Sequence, residues 1–205
     1  MQIKFFQTKL PKKGVEMKLK GTETEKNLLK ALTGECLATN KYYYFAKQAK
    51  KEGYEQISNI FLETSGNERE HAKLFYKFLS DTTLEINNCY TVTFGSTKEN
   101  LHNAKEGERE ENTILYPNFA DMAREEGFLD IADTFECVII AEKHHEARYK
   151  RLWENLVNDE IFKKSYEVTW KCLKCGYILK DTKAPEVCPN CKHPKAYFEM
   201  NSENY

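Results

Sequence analysis

The sequence predicts a mainly α fold, a four-helix bundle with a long crossover, followed by a small metal-bound β domain. Three observations carry this. Glu68-Arg69-Glu70-His71 and Glu142-Lys143-His144-His145 each place a Glu and a His three residues apart, and the two Glu residues stand 74 positions apart. The same shift of 74 superposes Tyr42 on Tyr116, Phe45 on Phe119, Ala46 on Ala120, Ala49 on Ala123 and Glu52 on Glu126, then Gly53 on Gly127, Ile57 on Ile131 and Phe61 on Phe135. Near the C-terminus, Cys172 and Cys175 are followed after twelve intervening residues by Cys188 and Cys191. A constant offset across ten identities describes two helical hairpins related by a pseudo-twofold axis, each supplying half of one site. The period is too long, and the copies too few, for a solenoid.

The first helix is expected over 22–52, opening on a cap at Thr22 or Thr24 and carrying Leu28, Leu32, Glu35, Thr39, Tyr42, Ala46 and Ala49 on one face. The second, over 55–79, carries Ile57, Phe61, Thr64, Glu68, His71, Phe75 and Phe78 by the same rule. A third over 98–126 presents Leu101, Ala104, Glu108, Glu111, Leu115 and Met122; a fourth over 128–157 presents Ile131, Phe135, Val138, Glu142, His145, Tyr149 and Leu152. Gly53 and Gly127 mark tight turns between partner helices. The stretch 80–97, with Asn87-Asn88, Val92 and Gly95, is polar, β-tending and long enough to cross between the hairpins.

Glu35, Glu68, Glu108, Glu111 and Glu142 occupy seam positions where the periodicity calls for Leu or Ile. A buried, unpaired carboxylate would take up a proton or open the fold, so a group of them needs cations. Two such Glu-x-x-His pairs, with unpaired Glu on the other two helices, make the ligand set of a carboxylate-bridged two-metal centre. Two divalent irons and the imidazoles of His71 and His145 bring that set close to neutral. Zinc prefers four ligands with more His or Cys, whereas manganese also fits the oxygen-rich set. Glu70, Glu110 and Glu146 read as solvated. Tyr42 lies two turns beyond Glu35 and Tyr116 is its repeat mate. Each phenol is placed either to hydrogen-bond a ligating carboxylate or simply to fill the core.

The four thiolates of Cys172, Cys175, Cys188 and Cys191 suit a tetrahedral ion, iron or zinc. The segment from about Tyr166 onward is too small for a core of its own, so the ion supplies folding free energy, with Trp170, Tyr177 and Phe198 clustered around it. Spacing leaves the ion open. A two-iron centre that must be re-reduced after each turnover favours iron, because it needs an electron donor. The remaining cysteines, Cys36, Cys89 and Cys137, are expected as small buried residues.

A net charge of -1, with Lys/Arg interleaved among Asp/Glu, gives no field suited to nucleic acid or an anionic membrane. No apolar run approaches the roughly 20 residues that span a bilayer, and the first segment lacks the apolar stretch of a secretory signal. A soluble, intracellular protein is expected. There is no phosphate-cradling glycine loop, nucleophile elbow or dinucleotide fingerprint, so any nicotinamide cofactor belongs to a partner.

With these motifs placed, the chain resembles the rubrerythrins from about Met17 to Phe198. The residues carrying the likeness are Gly34-Glu35, Tyr42, the run Glu68 to Lys73, Glu108 with Glu111, Leu115-Tyr116-Pro117, Ala141-Glu142 with His145-Glu146, and Cys191-Lys192-His193-Pro194-Lys195-Ala196. The resemblance implies a ferritin-like diiron bundle over 17–160, a rubredoxin-like domain over 166–205 with one iron on four cysteines, and an N-terminal extension of residues 1–16. By similarity the diiron ligands are Glu35, Glu68, His71, Glu108, Glu111, Glu142 and His145, and Cys172, Cys175, Cys188 and Cys191 hold the single iron. Glu111, His71, Tyr42 and Tyr116 are then the residues expected to take part in turnover, with Glu111 and His71 exchanging on one iron as its oxidation state changes. The implied activity is a cytoplasmic peroxidase reducing hydrogen peroxide to water, NAD(P)H-linked through reduced rubredoxin or a separate reductase, and working as a head-to-tail homodimer. Residues 1–16 precede the family's usual start and fit a disordered arm, an upstream start or an organelle-targeting segment. Two other functions fit parts of the pattern. One is a ferroxidase handling iron, against which the tetrathiolate argues. The other is a zinc-bearing C-terminal unit that only anchors an interface.

Overall fold

The structure, a computed structural model, describes residues 18–79, 83, 85 and 89–203. The expected extension 1–16 and the Asn87-Asn88 pair lie outside the described residues. Helix α1 (Glu23–Lys51) and helix α2 (Glu55–Phe78) form the first hairpin. Helix α3 (Thr97–Glu110), a wide π turn (Glu111–Leu115) and helix α4 (Tyr116–Glu125) lead into helix α5 (Leu129–Val157), which completes the second. Strands β1 (Lys163–Cys172), β2 (Ile178–Lys183) and β3 (Phe198–Met200) make an antiparallel sheet in the order β2-β1-β3.

The helix ends follow from local chemistry. Thr22 is the cap of α1, its side chain accepting from Glu25 N at 3.1 Å, and Ser96 with Glu99 forms a reciprocal capping box on α3. Both hairpin turns use the same device: Gly53 and Gly127 take φ of 85° and 86°, where a Cβ is unfavourable. The residue after each glycine bonds back across the turn, Tyr54 N to Ala49 O at 2.9 Å and Phe128 N to Ala123 O at 2.7 Å.

The hairpins also cap one another. Glu52, at the end of α1, accepts from Thr97 N at the start of α3 at 3.0 Å. Glu126, at the end of α4, accepts from Thr24 N at 2.8 Å and Thr24 Oγ1 at 2.6 Å at the start of α1. Repeat-mate carboxylates thus satisfy orphan N–H groups of the opposite hairpin.

The third expected helix, 98–126, is not continuous. Glu35 to Glu108 is 73 positions and Tyr42 to Tyr116 is 74, so the second hairpin holds one extra residue between its carboxylate and its tyrosine. An extra residue would rotate everything beyond it by about 100° on an ordinary helix. The π turn absorbs it, and the side chain of Asn112 covers the loosened carbonyl of Glu108 at 2.7 Å. In the crossover, the described residues form no strand despite their β tendency, because no neighbouring strand offers a ladder. Phe94 instead lies against Phe45, ring centroids 6.4 Å apart.

Two apolar clusters fill the bundle. One is built around Leu28, Phe75, Tyr116 and Phe135, the other around Tyr42, Phe45, Phe61, Leu101 and Tyr149. Along α1, Glu35 falls between them. The small domain has its own cluster around a fully buried Trp170, whose indole N–H donates to Asp181 O at 3.1 Å, with Phe198 packed beside it. It meets the bundle through Phe162, stacked on Tyr54 at 6.0 Å, and through Ala196, which lies against Gly53. No described helix is long and apolar enough to cross a membrane.

The three solitary cysteines correct an expectation: Cys36, Cys89 and Cys137 are all exposed. Cys36 follows Glu35 by one residue and Cys137 follows Phe135 by two, and either step turns a side chain out of the seam.

Candidate metal centres

Glu35, Glu68, Glu108 and Glu142 each sit on a helix whose buried stripe continues above and below them, so the apolar packing that forms the helix also drives the carboxylate inward. Glu35, Glu68, Glu108 and Glu142 are each at most 1% exposed. Their atoms converge in two groups, Glu35, Glu68, His71 and Glu142 in one, Glu68, Glu108, Glu142 and His145 in the other, with ligand atoms within 4.8 Å of one another in each. Glu68 and Glu142 belong to both. Glu68 turns Oε2 to His71 Nδ1 at 2.9 Å and Oε1 to His145 Nδ1 at 3.2 Å. Glu142 turns Oε1 to His71 Nδ1 at 2.8 Å and Oε2 to His145 Nδ1 at 2.7 Å. Two carboxylates each face both halves, the arrangement of bridging ligands.

The polar atoms themselves test whether metal fits. Both oxygens of Glu68, Oε2 of Glu108, Oε1 of Glu142 and Nδ1 of His71 are buried without a hydrogen-bond partner. His71 Nδ1 is close to two carboxylates yet aligned with neither for a hydrogen bond, as expected of lone pairs aimed at a common centre. Such orphaned groups are costly unless a cation satisfies them. Without one, protons take its place. Burial pushes Glu35 up to about 8, against the pull of His71. Burial, reinforced by neighbouring carboxylates, holds Glu108 and Glu111 well above the usual range. Burial would also raise Glu142, but the hydrogen bond with His145 and the charge of the neighbouring His71 outweigh it and bring that carboxyl to about 2. For His145, burial is outweighed by Glu108, Glu142 and Glu68, which push it up to about 12; His71 is raised in the same way.

The tyrosines form a matched pair. Tyr42 on α1 donates its hydroxyl to Glu108 Oε1, and Tyr116 on α4 donates to Glu35 Oε1, so each hairpin's phenol fixes the other hairpin's carboxylate. Burial raises both phenols well above their ordinary range, so they keep their protons.

Glu111 stands apart. It lies half-buried on the π turn, outside both groups of converging atoms, and its Oε1 is 3.8 Å from where a Cβ on Gly34 would be. Glu70 and Glu110 are exposed as expected. Glu146 is not simply solvated, because it is half-buried and accepts from Asn112 Nδ2 at 2.8 Å, bracing the π turn from α5. Sequence reading missed Asn112; it took Gly34 as part of the family resemblance but not as the neighbour of Glu111, for which a glycine inside an otherwise regular helix was the available signal.

The cysteines meet as anticipated. Cys172 and Cys191 sulfurs are 3.7 Å apart, as are those of Cys175 and Cys188, and all four lie within 4.8 Å. A tetrahedral ion with metal–sulfur bonds of about 2.3 Å needs sulfur separations of about 3.8 Å. The knuckles share a backbone pattern: Gly176 N bonds Cys172 O at 2.9 Å and Lys192 N bonds Cys188 O at 3.0 Å, with φ of 73° and 63°.

Comparison with known proteins decides the relationship. The rubrerythrin family model matches residues 26–153, and the model for the rubredoxin-like domain of rubrerythrin matches residues 170–199. The chain belongs to the rubrerythrin family. Rubrerythrin-1 of Clostridium acetobutylicum is 53% identical over 192 residues, covering 91% of this chain and 98% of that protein. Rubrerythrin of Porphyromonas gingivalis is 47% identical over 197 residues, covering 95% and 98%. Among solved structures, the fully reduced, all-ferrous state of nigerythrin aligns with a TM-score of 0.60 at 29% identity, over 98% of this chain and 100% of that one. The bundle is therefore a ferritin-like diiron domain and the C-terminal unit a rubredoxin-like iron domain built on four cysteines. Rubrerythrins are diiron proteins with peroxidase-type activity, which makes this chain an oxidoreductase of that kind.

Proposed function

We propose that this rubrerythrin reduces hydrogen peroxide to water, with electrons passed from an external donor through the tetrathiolate site to the bundle site. One observation carries the reading: Glu68 and Glu142 are shared between two groups of buried ligand atoms, as a paired-metal site requires. In this reading Glu35, Glu68, His71 and Glu142 hold one iron, and Glu68, Glu108, Glu142 and His145 hold the other. Bound there, the iron pair supplies the two electrons that cleave the O–O bond; two protons complete the conversion to two waters.

The protein's own groups do the rest. The apolar clusters on either side exclude bulk water from the carboxylates. Tyr42 and Tyr116, holding protons at their hydroxyls, keep Glu108 and Glu35 oriented toward the centre. Glu111 takes the exchange role opposite His71. Its carboxylate is not committed to either group, it lies beside Gly34, and a carboxylate suits ferric iron as an imidazole suits ferrous. Cys172, Cys175, Cys188 and Cys191 hold the relay iron. Electrons come from reduced rubredoxin or an NAD(P)H-dependent reductase, the nicotinamide staying with that partner. The working unit is a head-to-tail homodimer in the cytoplasm.

The test is anaerobic. Iron-loaded, fully reduced protein is mixed with peroxide, and the spectra of both sites are followed. One peroxide consumed per diiron site, with repeated turnover when NAD(P)H and a reductase are present, supports the reading. Slow reaction with peroxide alongside progressive iron accumulation under oxygen would instead establish a ferroxidase.

A further inference from the structure

Charge is divided unevenly along the chain. Residues 18–160 carry nineteen Lys and Arg against twenty-six Asp and Glu, whereas residues 161–205 carry eight Lys against five Asp and Glu. Most acids of the small domain are already engaged there: Glu199 is 3.5 Å from Lys171, Glu186 3.0 Å from Lys195 and Glu167 3.8 Å from Lys180. Asp181 accepts from the backbone N–H of Thr182 at 2.6 Å. Lys174 and Lys192, one on each cysteine knuckle, are exposed and have no ion-pair partner among the described residues. Each is steadied without being neutralised. The Lys174 ammonium lies 4.8 Å from the centre of the Tyr197 ring, and Lys192 Nζ donates to Pro189 O at 2.7 Å.

Two further observations single out this face. Cys172 and Cys188 are buried while Cys175 is exposed, so the tetrathiolate site meets solvent at Cys175, beside an open Gly176. The second knuckle places Lys192 at φ 63°, where the first knuckle uses Gly176 at φ 73°. A residue with a Cβ is strained in that region, so folding alone would favour glycine at 192 as well. The knuckle keeps a cation there against its backbone preference.

We propose that Lys174 and Lys192, with the exposed Cys175–Gly176 tip, form the docking face for an acidic one-electron donor protein. The inference rests on the proposal that the tetrathiolate site carries electrons, and it adds where the donor binds and what charge it bears. In the docked complex one electron leaves the reduced donor and arrives at the tetrathiolate site by way of Cys175. No bond forms or breaks and no proton moves. Unneutralised cations around the point of entry steer an acidic partner and fix its orientation, an effect that weakens as salt shortens the reach of the field.

The test uses the iron-loaded full chain and a small acidic one-iron tetrathiolate protein as donor. Lys192→Gly relieves the backbone strain and so keeps the fold; it is compared with Lys174→Gln and with the double variant. The double variant should lower the bimolecular reduction rate about tenfold at low ionic strength, with the gap closing at high salt. It should weaken binding of the zinc-loaded, redox-silent donor in parallel, while reduction by an uncharged small molecule is unchanged. Donor kinetics and binding that ignore both lysines would overturn the docking face. So would a change in sedimentation behaviour with donor binding intact, which would assign the lysines to the acidic bundle of a second copy. If the wild-type site does not bleach even with dithionite, the electron-carrying reading falls and the docking face with it; bleaching with dithionite but lysine-independent donor kinetics overturns the docking face alone.

Discussion

Glu111 is the one expected ligand that stands outside the converging groups, and its place beside Gly34 makes it the residue whose role is most open to test. Glu111→Gln should still load two irons in the bundle, because the shared groups do not include it, but should lose peroxidase turnover; unchanged turnover would remove it from the mechanism. The tyrosines make a sharper, symmetric prediction. A hydrogen bond to a charged group is worth about 1.5–3 kcal/mol, so Tyr42→Phe and Tyr116→Phe should each slow peroxide turnover about tenfold or more while retaining iron. Each acts on a single carboxylate, Glu108 or Glu35, so single-turnover kinetics should show two similar losses. The converging carboxylates were legible as residues: Glu35, Glu68, Glu108 and Glu142 interrupt apolar stripes, and the structure buries all four and brings them together. Which of them face both groups was not legible, because spacing along a helix fixes a face but not the direction of each carboxylate oxygen. Cys36 and Cys137 were misread because composition favours buried cysteine, although helical phase already turned both outward.

At the scale of elements, the repeat offset located both hairpins and both glycine turns, while the break in the third helix went unread. Its trace was present: the offset is 73 at Glu35 and Glu108 but 74 at Tyr42 and Tyr116. Deleting Thr113, an exposed residue of the π turn, should restore a plain helix in which Glu108 and Tyr116 take the seven-residue spacing, and so the relative phase, of Glu35 and Tyr42. Metal analysis should then still find two irons in the bundle, with peroxide turnover lost because the turn that carries Glu111 is gone; a bundle with fewer than two irons would show that the wide turn itself shapes the ligand set. The carboxylate caps between hairpins are open to stability measurements. Although burial acts in the opposite sense, hydrogen bonds from Thr24 and Glu23 hold Glu126 below the usual carboxylate range. A depressed folded-state pKa gives stability that is full above the unfolded value and fades as pH falls through the folded one. Glu126→Ala should therefore cost about 1 kcal/mol at neutral pH by thermal unfolding, and the gap to wild type should narrow in acid. A gap independent of pH would assign the loss to packing.

The whole molecule is a pseudo-symmetric acidic bundle joined to a basic, metal-stapled domain. Its symmetry is functional: each hairpin brings a Glu-x-x-His pair, a solitary Glu and a phenol that holds the other hairpin's carboxylate. Among the described residues it is broken by the extra residue that forms the π turn carrying Glu111. Two-fold repetition and paired cysteine knuckles were enough to foresee the architecture, because both are written in residue identity and spacing. The contact between the domains, through Tyr54 and Phe162, was not foreseeable, since either aromatic serves equally well as ordinary packing. The central claim is that two irons share Glu68 and Glu142 inside the bundle, and anomalous diffraction at the iron edge from crystals of the iron-loaded protein tests it most directly. The account predicts three peaks per chain: two between the helices, each within bonding distance of Glu68 and Glu142, and one amid the four cysteine sulfurs. A bundle with no iron peak, or with one bound by neither shared carboxylate, would contradict it.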